Sequence, residues 1–163
     1  MKHPELIEKK IFSLPTLVAN IDQWRKLGKT IAFTNGCFDI LHEGHIYSLA
    51  QAAKEADFLI VGINSDVSVK KLKGESRPIN NQQSRAKILA SLFLTDAIII
   101  FEEDTPLELI KTILPDALVK GGDYKVEEIA GAKEVIANGG RVIINPLLDG
   151  FSTTATISKM KGK

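Results

Sequence analysis

Two histidines three residues apart, His42 and His45, stand at the end of the run Thr34-Asn35-Gly36-Cys37-Phe38-Asp39-Ile40-Leu41-His42-Glu43-Gly44-His45. The chain has only three histidines, so two of them in one short run single the place out. An apolar stretch precedes the run and a helical pattern follows it, which puts the pair at a helix start. The first N–H groups of a helix lack intrahelical partners, and with the helix dipole they favour an anion. Imidazole N–H donors there would add hydrogen bonds to a phosphate, and Gly44 would let the phosphate approach the backbone. The plain alternative is two polar residues at a surface cap. A His-x-Gly-His element directly after a strand favours the phosphate site.

Other loops carry compatible chemistry. Asn64-Ser65-Asp66 is followed by Lys70, Lys71 and Lys73, then Arg77 and Arg85, the most basic stretch of the chain. Lysine suits phosphate as a point charge and arginine as a bidentate fork. One or two of these lysines are expected on a solvated helix face instead. Lys120-Gly121-Gly122-Asp123-Tyr124 is a turn where backbone can come close to a base or ribose, and where a carboxylate could meet a hydroxyl or magnesium. Gly150-Phe151-Ser152-Thr153-Thr154 precedes a last helix, so its hydroxyls can serve as caps or as phosphate donors. Rival motifs are absent from the sequence: there is no G-x-x-x-x-G-K-[ST], no G-x-G-x-x-G after the first strand and no H-E-x-x-H. Cys37, His42 and His45 lack an evident fourth ligand, so no metal site is expected on them.

The elements that must hold these loops alternate. Short, nearly unalternated apolar runs at 31–33, 58–63, 97–101, 117–119 and 141–144 read as strands covered on both faces. Helical patterns lie between them at 45–56, 82–92, 106–114 and 127–138, and another begins at 153. Asp104-Thr105-Pro106 reads as a helix entry and Gly139-Gly140 as a helix exit. Residues 1–15 read as a polar leader. Residues 16–27 read as an amphipathic helix of Leu17, Val18, Ile21, Trp24 and Leu27 that packs on the domain. The alternation predicts one α/β domain, a parallel sheet with helices on both faces, and ligands at the carboxyl ends of the strands.

Composition agrees. The 163 residues are 44% hydrophobic and 25% charged, which fits one globular domain. A net charge of +1 gives no general attraction to nucleic acid. One cysteine excludes an intrachain disulfide. The start MKHPELIEKK has no signal-peptide core, and no apolar run approaches the roughly 18 residues that span a bilayer, so no membrane association and a cytoplasmic location are expected.

Together the blocks TNGCFDILHEGH, INSDVSVKKLKGESRP, EEDTPLELI, LVKGGDY and DGFSTT, in this order, resemble the D-glycero-β-D-manno-heptose 1-phosphate adenylyltransferases. Those enzymes belong to a nucleotidyltransferase superfamily that shares the His-x-Gly-His element with cytidylyltransferases. The resemblance runs from about Trp24 to Lys159. It implies a Rossmann-like, doubly wound, five-stranded parallel sheet in order 3-2-1-4-5, with residues 1–163 forming a single nucleotidylyltransferase domain in which 1–29 are leader and helix. It implies transfer of the adenylyl group of ATP to a heptose 1-phosphate, giving ADP-heptose and pyrophosphate, with Mg2+ accompanying ATP. Catalytic roles carry onto His42, His45, Lys73 and Arg85. Nucleotide contacts carry onto Thr34, Asn35, Gly36, Phe38 and Gly44, onto Lys120, Gly121 and Asp123, and onto Ser152, Thr153 and Thr154. Sugar-phosphate contacts are expected of Asp39, Asn64, Asp66 and Arg77. No kinase half stands in these residues, so a separate heptose kinase is expected upstream; a homodimer is an open option for the assembly. The family's loop after Arg77-Pro78 usually has a further proline and an acidic residue before the arginine, where this chain reads Ile79-Asn80-Asn81-Gln82-Gln83-Ser84.

The nearest rival is a CTP-dependent cytidylyltransferase acting on glycerol 3-phosphate or a similar alcohol phosphate. A nucleotide-binding regulator without turnover is a rival of another class; the intact His42, His45, Lys73 and Ser-Thr-Thr element argue against it.

Overall fold

The structure is a computed structural model that describes residues 3–122, 124–146, 148 and 150–160, with 154 and 155 described by backbone. It begins with a short helix α1 (Leu6–Lys9), strand β1 (Ile11–Phe12) and helix α2 (Leu14–Lys26). Then come β2 (Ile31–Gly36), α3 (Glu43–Ala53), β3 (Phe58–Asn64), α4 (Asp66–Lys73) and α5 (Gln82–Ala90). The second half holds β4 (Ala97–Phe101), α6 (Leu107–Ile113), β5 (Ala117–Gly121), a 3₁₀ turn (Val126–Glu128), α7 (Ala132–Ala137), β6 (Arg141–Asn145) and α8 (Thr153–Met160).

All strand pairs are parallel and the order is β1-β4-β3-β2-β5-β6. Among the described residues the sheet therefore has six strands, and the expected five-stranded sheet is corrected. The addition is β1, whose Ile11 and Phe12 pair with Ile98 and Ile99 of β4. It lies inside the stretch read as a polar leader. Two residues have no period to read, and the charges around them hide the pair. Without β1 the remaining order is β4-β3-β2-β5-β6.

Successive strand residues feed opposite faces, as the twofold side-chain alternation requires. Phe33, Ile60 and Leu118 join Leu17, Ile21, Ile110 and Val135 in one core. Ala32, Leu59, Val61 and Val119 join Leu49, Ala86 and Leu89 in the other. This is why the strands read as unbroken apolar runs. Helix α2 begins two residues before the expected 16, because Pro15 sits in its first turn where no N–H is needed. Its Trp24 stacks on Phe58 with ring centroids 4.2 Å apart.

Three local expectations change. Residues 66–73, read as a basic loop, form α4; Ser65 Oγ caps it by accepting from Ser68 N at 3.2 Å. The helix expected at 127–138 is divided into the 3₁₀ turn and α7. Gly131 lies between them at φ +83°, and a Cβ there would come within 2.5 Å of Ile110 Cγ2. The helix expected to begin at 106 begins at Leu107: Pro106 is its N-cap residue, and no side chain bonds there. No helix among the described residues is long and apolar enough to cross a membrane.

Candidate active site

At the carboxyl ends of β2, β3 and β5 lies a cleft of about 710 Å³. His42 is the N-cap residue of α3 and His45 lies in its first turn. Their rings stack, with centroids 3.8 Å apart and planes 19° apart. Gly44 makes room for this: a Cβ there would stand 3.0 Å from Phe151 Cβ and 3.1 Å from His42 Nδ1. The Nδ1 atoms of both histidines are buried without a hydrogen-bond partner. Burial, and then the neighbouring His42, push His45 down to about 4, and burial also lowers His42. At neutral pH both rings are accordingly neutral imidazoles, each with one N–H to offer. The Phe38 ring lies 5.1 Å from that of His45.

On one flank, past β3, Lys73 and Arg77 line the cleft, as does Asn64. Lys73 ends α4, Lys71 instead pairs with exposed Asp104 at 3.3 Å, and Lys70 does not line the cleft. On the other flank, past β5, Lys120 reaches in and donates to Asn35 Oδ1 at 3.3 Å. Burial pushes the Lys120 ammonium down from its ordinary value. Its Nζ lies 5.7 Å from the centre of the Tyr124 ring. At the start of α8, Ser152 and Thr153 line the cleft, and Thr153 Oγ1 donates to Ile40 O at 3.4 Å.

Thus the cleft gathers Thr34, Asn35, Gly36, Phe38 and Gly44 with the histidine pair. It also gathers Lys73, Lys120, Gly121, Ser152 and Thr153. Asp123 and the side chain of Thr154 lie outside the described residues.

Two expected site residues, Arg85 and Asp66, do not line the cleft. Arg85 is 1% exposed. Each nitrogen of its guanidinium is engaged: Nε donates to Asn80 O at 3.0 Å, Nη1 to Cys37 O at 2.6 Å and Nη2 to Asp66 Oδ1 at 2.8 Å. Arg85 therefore ties three segments together from a buried position, with three of its five N–H groups engaged. Asp66 opens α4, accepts from Arg85, and belongs to the same tie. Asp39 does line the cleft, yet its carboxylate is 2% exposed and accepts from Arg77 Nε and from the backbone N–H groups of Ile79 and Asn80. It has no free lone pair aimed at a sugar. Burial alone would raise this carboxyl, but the Asn80 and Ile79 N–H groups and the Arg77 guanidinium outweigh it and hold it below the ordinary carboxylate value.

Cleft residues missed in the sequence include Ser48, Tyr124 and Phe151. Ser48 follows His45 by three residues, so it shares that helix face and was findable by spacing. Phe151 stands between Gly150 and Ser152, where the hydroxyls draw attention away from it.

Comparison with known proteins agrees with this geometry. The model of the cytidylyltransferase-like family matches residues 33–159. Bifunctional protein HldE of Paramagnetospirillum magneticum is 50% identical over 155 residues, which cover 95% of this chain and 32% of that protein. Bifunctional protein HldE of Rhodospirillum rubrum is 54% identical over 142 residues, covering 87% of this chain and 29% of its own. The chain thus spans about a third of the length of the curated relatives it matches. Among solved structures, the lipopolysaccharide core biosynthesis protein of Thermoplasma volcanium is 29% identical with a TM-score of 0.61, covering 74% of this chain and 98% of that one. Pantoate-β-alanine ligase of Francisella tularensis, 17% identical with a TM-score of 0.61, covers 93% of this chain and 76% of its own and shares the fold. A histidine pair at the head of a helix, cations on both flanks and a family match over most of the sequence lead to one statement: this chain belongs to the cytidylyltransferase-like family.

Proposed function

We propose that this domain transfers the adenylyl group of ATP to D-glycero-β-D-manno-heptose 1-phosphate. The observation that carries nucleotidylyl transfer is the stacked His42 and His45 pair at the start of α3, in a cleft with Lys73, Arg77 and Lys120. The choice of heptose rests on the five sequence blocks. It is supported by similarity to HldE proteins and to a protein of lipopolysaccharide core biosynthesis.

In the reaction a phosphate oxygen of the sugar phosphate attacks the α-phosphorus of ATP. The bond from that phosphorus to the bridging oxygen breaks, and pyrophosphate leaves with the electron pair. The nucleophile is already anionic and needs no strong base. The residues have two tasks, to align two polyanions and to stabilise charge on the α-phosphoryl oxygens. Neutral imidazole N–H groups and the N–H groups opening α3 suit the second task. Lys73 and Arg77 suit the acceptor phosphate, and Ser152 with Thr153 suits the triphosphate.

Mg2+ would enter with the nucleotide. Among the described residues no three His, Cys, Asp or Glu side chains converge on a metal position, in keeping with an ion carried chiefly by the nucleotide. It would supply charge neutralisation on the leaving pyrophosphate. A kinase would supply the sugar 1-phosphate, and the cytosol is where both substrates would be met.

The test is pyrophosphate release with ATP or CTP, each with heptose 1-phosphate or glycerol 3-phosphate. ATP with heptose 1-phosphate should give the highest kcat/KM. If CTP with glycerol 3-phosphate is the best pair, the heptose assignment is wrong and cytidylyl transfer takes its place.

A further inference from the structure

The loop at residues 77–80 is held to the domain in an unusual way. Its Ile79 side chain is 57% exposed, so apolar burial does not fix it. Asp39 does. One carboxylate oxygen accepts from Asn80 N at 2.9 Å, both accept from Ile79 N at 2.9 Å, and one accepts from Arg77 Nε. The Asp39 carbonyl takes a further bond from Asn80 Nδ2 at 2.7 Å. From behind, Arg85 Nε holds Asn80 O at 3.0 Å.

This leaves Arg77 in a defined state. Its side chain is 11% exposed, its Nε is committed to Asp39, and it lines the cleft. Among the described residues Nη1 and Nη2 have no hydrogen-bond partner. A guanidinium gripped at Nε keeps its end-on pair of nitrogens in one plane, the arrangement that takes two phosphate oxygens at once. A lysine cannot present this fork.

We propose that Asp39 is a positioning residue for phosphate recognition: it grips Arg77 by Nε and fixes the loop, so that Nη1 and Nη2 face the cleft as a preformed fork for a phosphomonoester. The adenylyl-transfer reading identifies that monoester as the sugar 1-phosphate; the fork itself needs only a phosphate. Asp39 acts through Arg77 and touches no reacting atom.

The experiment is a double-mutant cycle on the whole chain with Asp39→Asn, Arg77→Gln and both together, reading the calorimetric Kd for inorganic phosphate. Each single variant should weaken binding about 10- to 100-fold, the loss of a charge-assisted hydrogen bond. The double variant should be no weaker than either, because both remove one fork. The KM for heptose 1-phosphate should rise similarly while that for ATP stays nearly level. Phosphate binding by Asp39→Asn at wild-type strength overturns the proposal, and so do losses that add in the double variant. If Asp39→Asn does not fold, Arg77→Lys carries the test. It keeps a cation beside Asp39 but has no fork, so it should lose phosphate as Arg77→Gln does, and wild-type binding would overturn the proposal. A wild-type chain that binds phosphate through this fork but transfers no adenylyl group would sink the adenylyl reading alone.

Discussion

Polar groups around the cleft fall into two regions of opposite character. Around Asp39 and Arg85, charged groups are buried and each is met by partners at hydrogen-bonding distance. Around His42 and His45, nitrogens are buried and the Nδ1 atoms have none. A buried polar atom without a partner costs about 1–3 kcal/mol, so a fold keeps one only where something offsets it. The contrast separates two tasks. The satisfied region sets the shape of the cleft and leaves a ligand only the Nη atoms of Arg77, whereas the histidine pair is left for a ligand to complete.

The largest test of that division is His45→Ala. Losing one donor to the transition state should lower kcat by about 10²–10³, roughly 3–4 kcal/mol, with little change in Tm. Turnover near the wild-type rate would move His45 out of the reaction. Arg85→Met should do the reverse. It leaves Cys37 O, Asn80 O and Asp66 with a lost donor each, at a cost of about 3 kcal/mol. For a domain of this size that is a fall in Tm of roughly 6–12 °C. A collapse of turnover with an unchanged melting curve would return Arg85 to the chemistry.

A third test is the dependence of stability on pH. His45 sits at about 4 in the folded chain against an ordinary 6.5. Between these values the unfolded chain binds the extra proton. The stability that His45 contributes is therefore whole above 6.5, declines as the pH falls, and is gone below about 4. Denaturant melts across this window should fall less steeply for His45→Gln than for the wild type, and parallel curves would count against a neutral, buried His45.

Much of the cleft's phosphate-binding side was legible in the sequence, because its chemistry is local. His42, Gly44 and His45 stand in one turn, Ser152 and Thr153 are adjacent, and Lys120 precedes two glycines. The satisfied region was not legible, because its meaning lies in pairs far apart in the chain. Asp39 and Arg77 are 38 residues apart, and Arg85 and Cys37 are 48. A sequence shows a carboxylate and a guanidinium as possible ligands; it does not show that they have already found each other. The fold divides similarly. Strands of β-branched residues announced themselves. Helix α4 was masked by its lysines, and Gly131 divided a helix for a reason, the nearness of Ile110, that only packing reveals.

The strand of Ile11 and Phe12 has one more consequence. A parallel sheet exposes a row of unpaired N–H and C=O groups at each side, and such a row is a template for joining other chains. On the β4 side that row is covered: Ile98 N donates to Lys10 O at 2.7 Å, and Lys10 Nζ donates to Leu92 O and Thr95 O at 3.1 and 2.7 Å. Among the described strands this leaves β6 as the other border, and it opens on Arg141, an exposed cation that donates to Glu55 O at 2.6 Å. One border is closed by a strand too short to recruit a neighbour, and the other begins with a charge that discourages one. The same few residues that looked like a polar leader thus help keep a very apolar sheet from growing sideways into its copies.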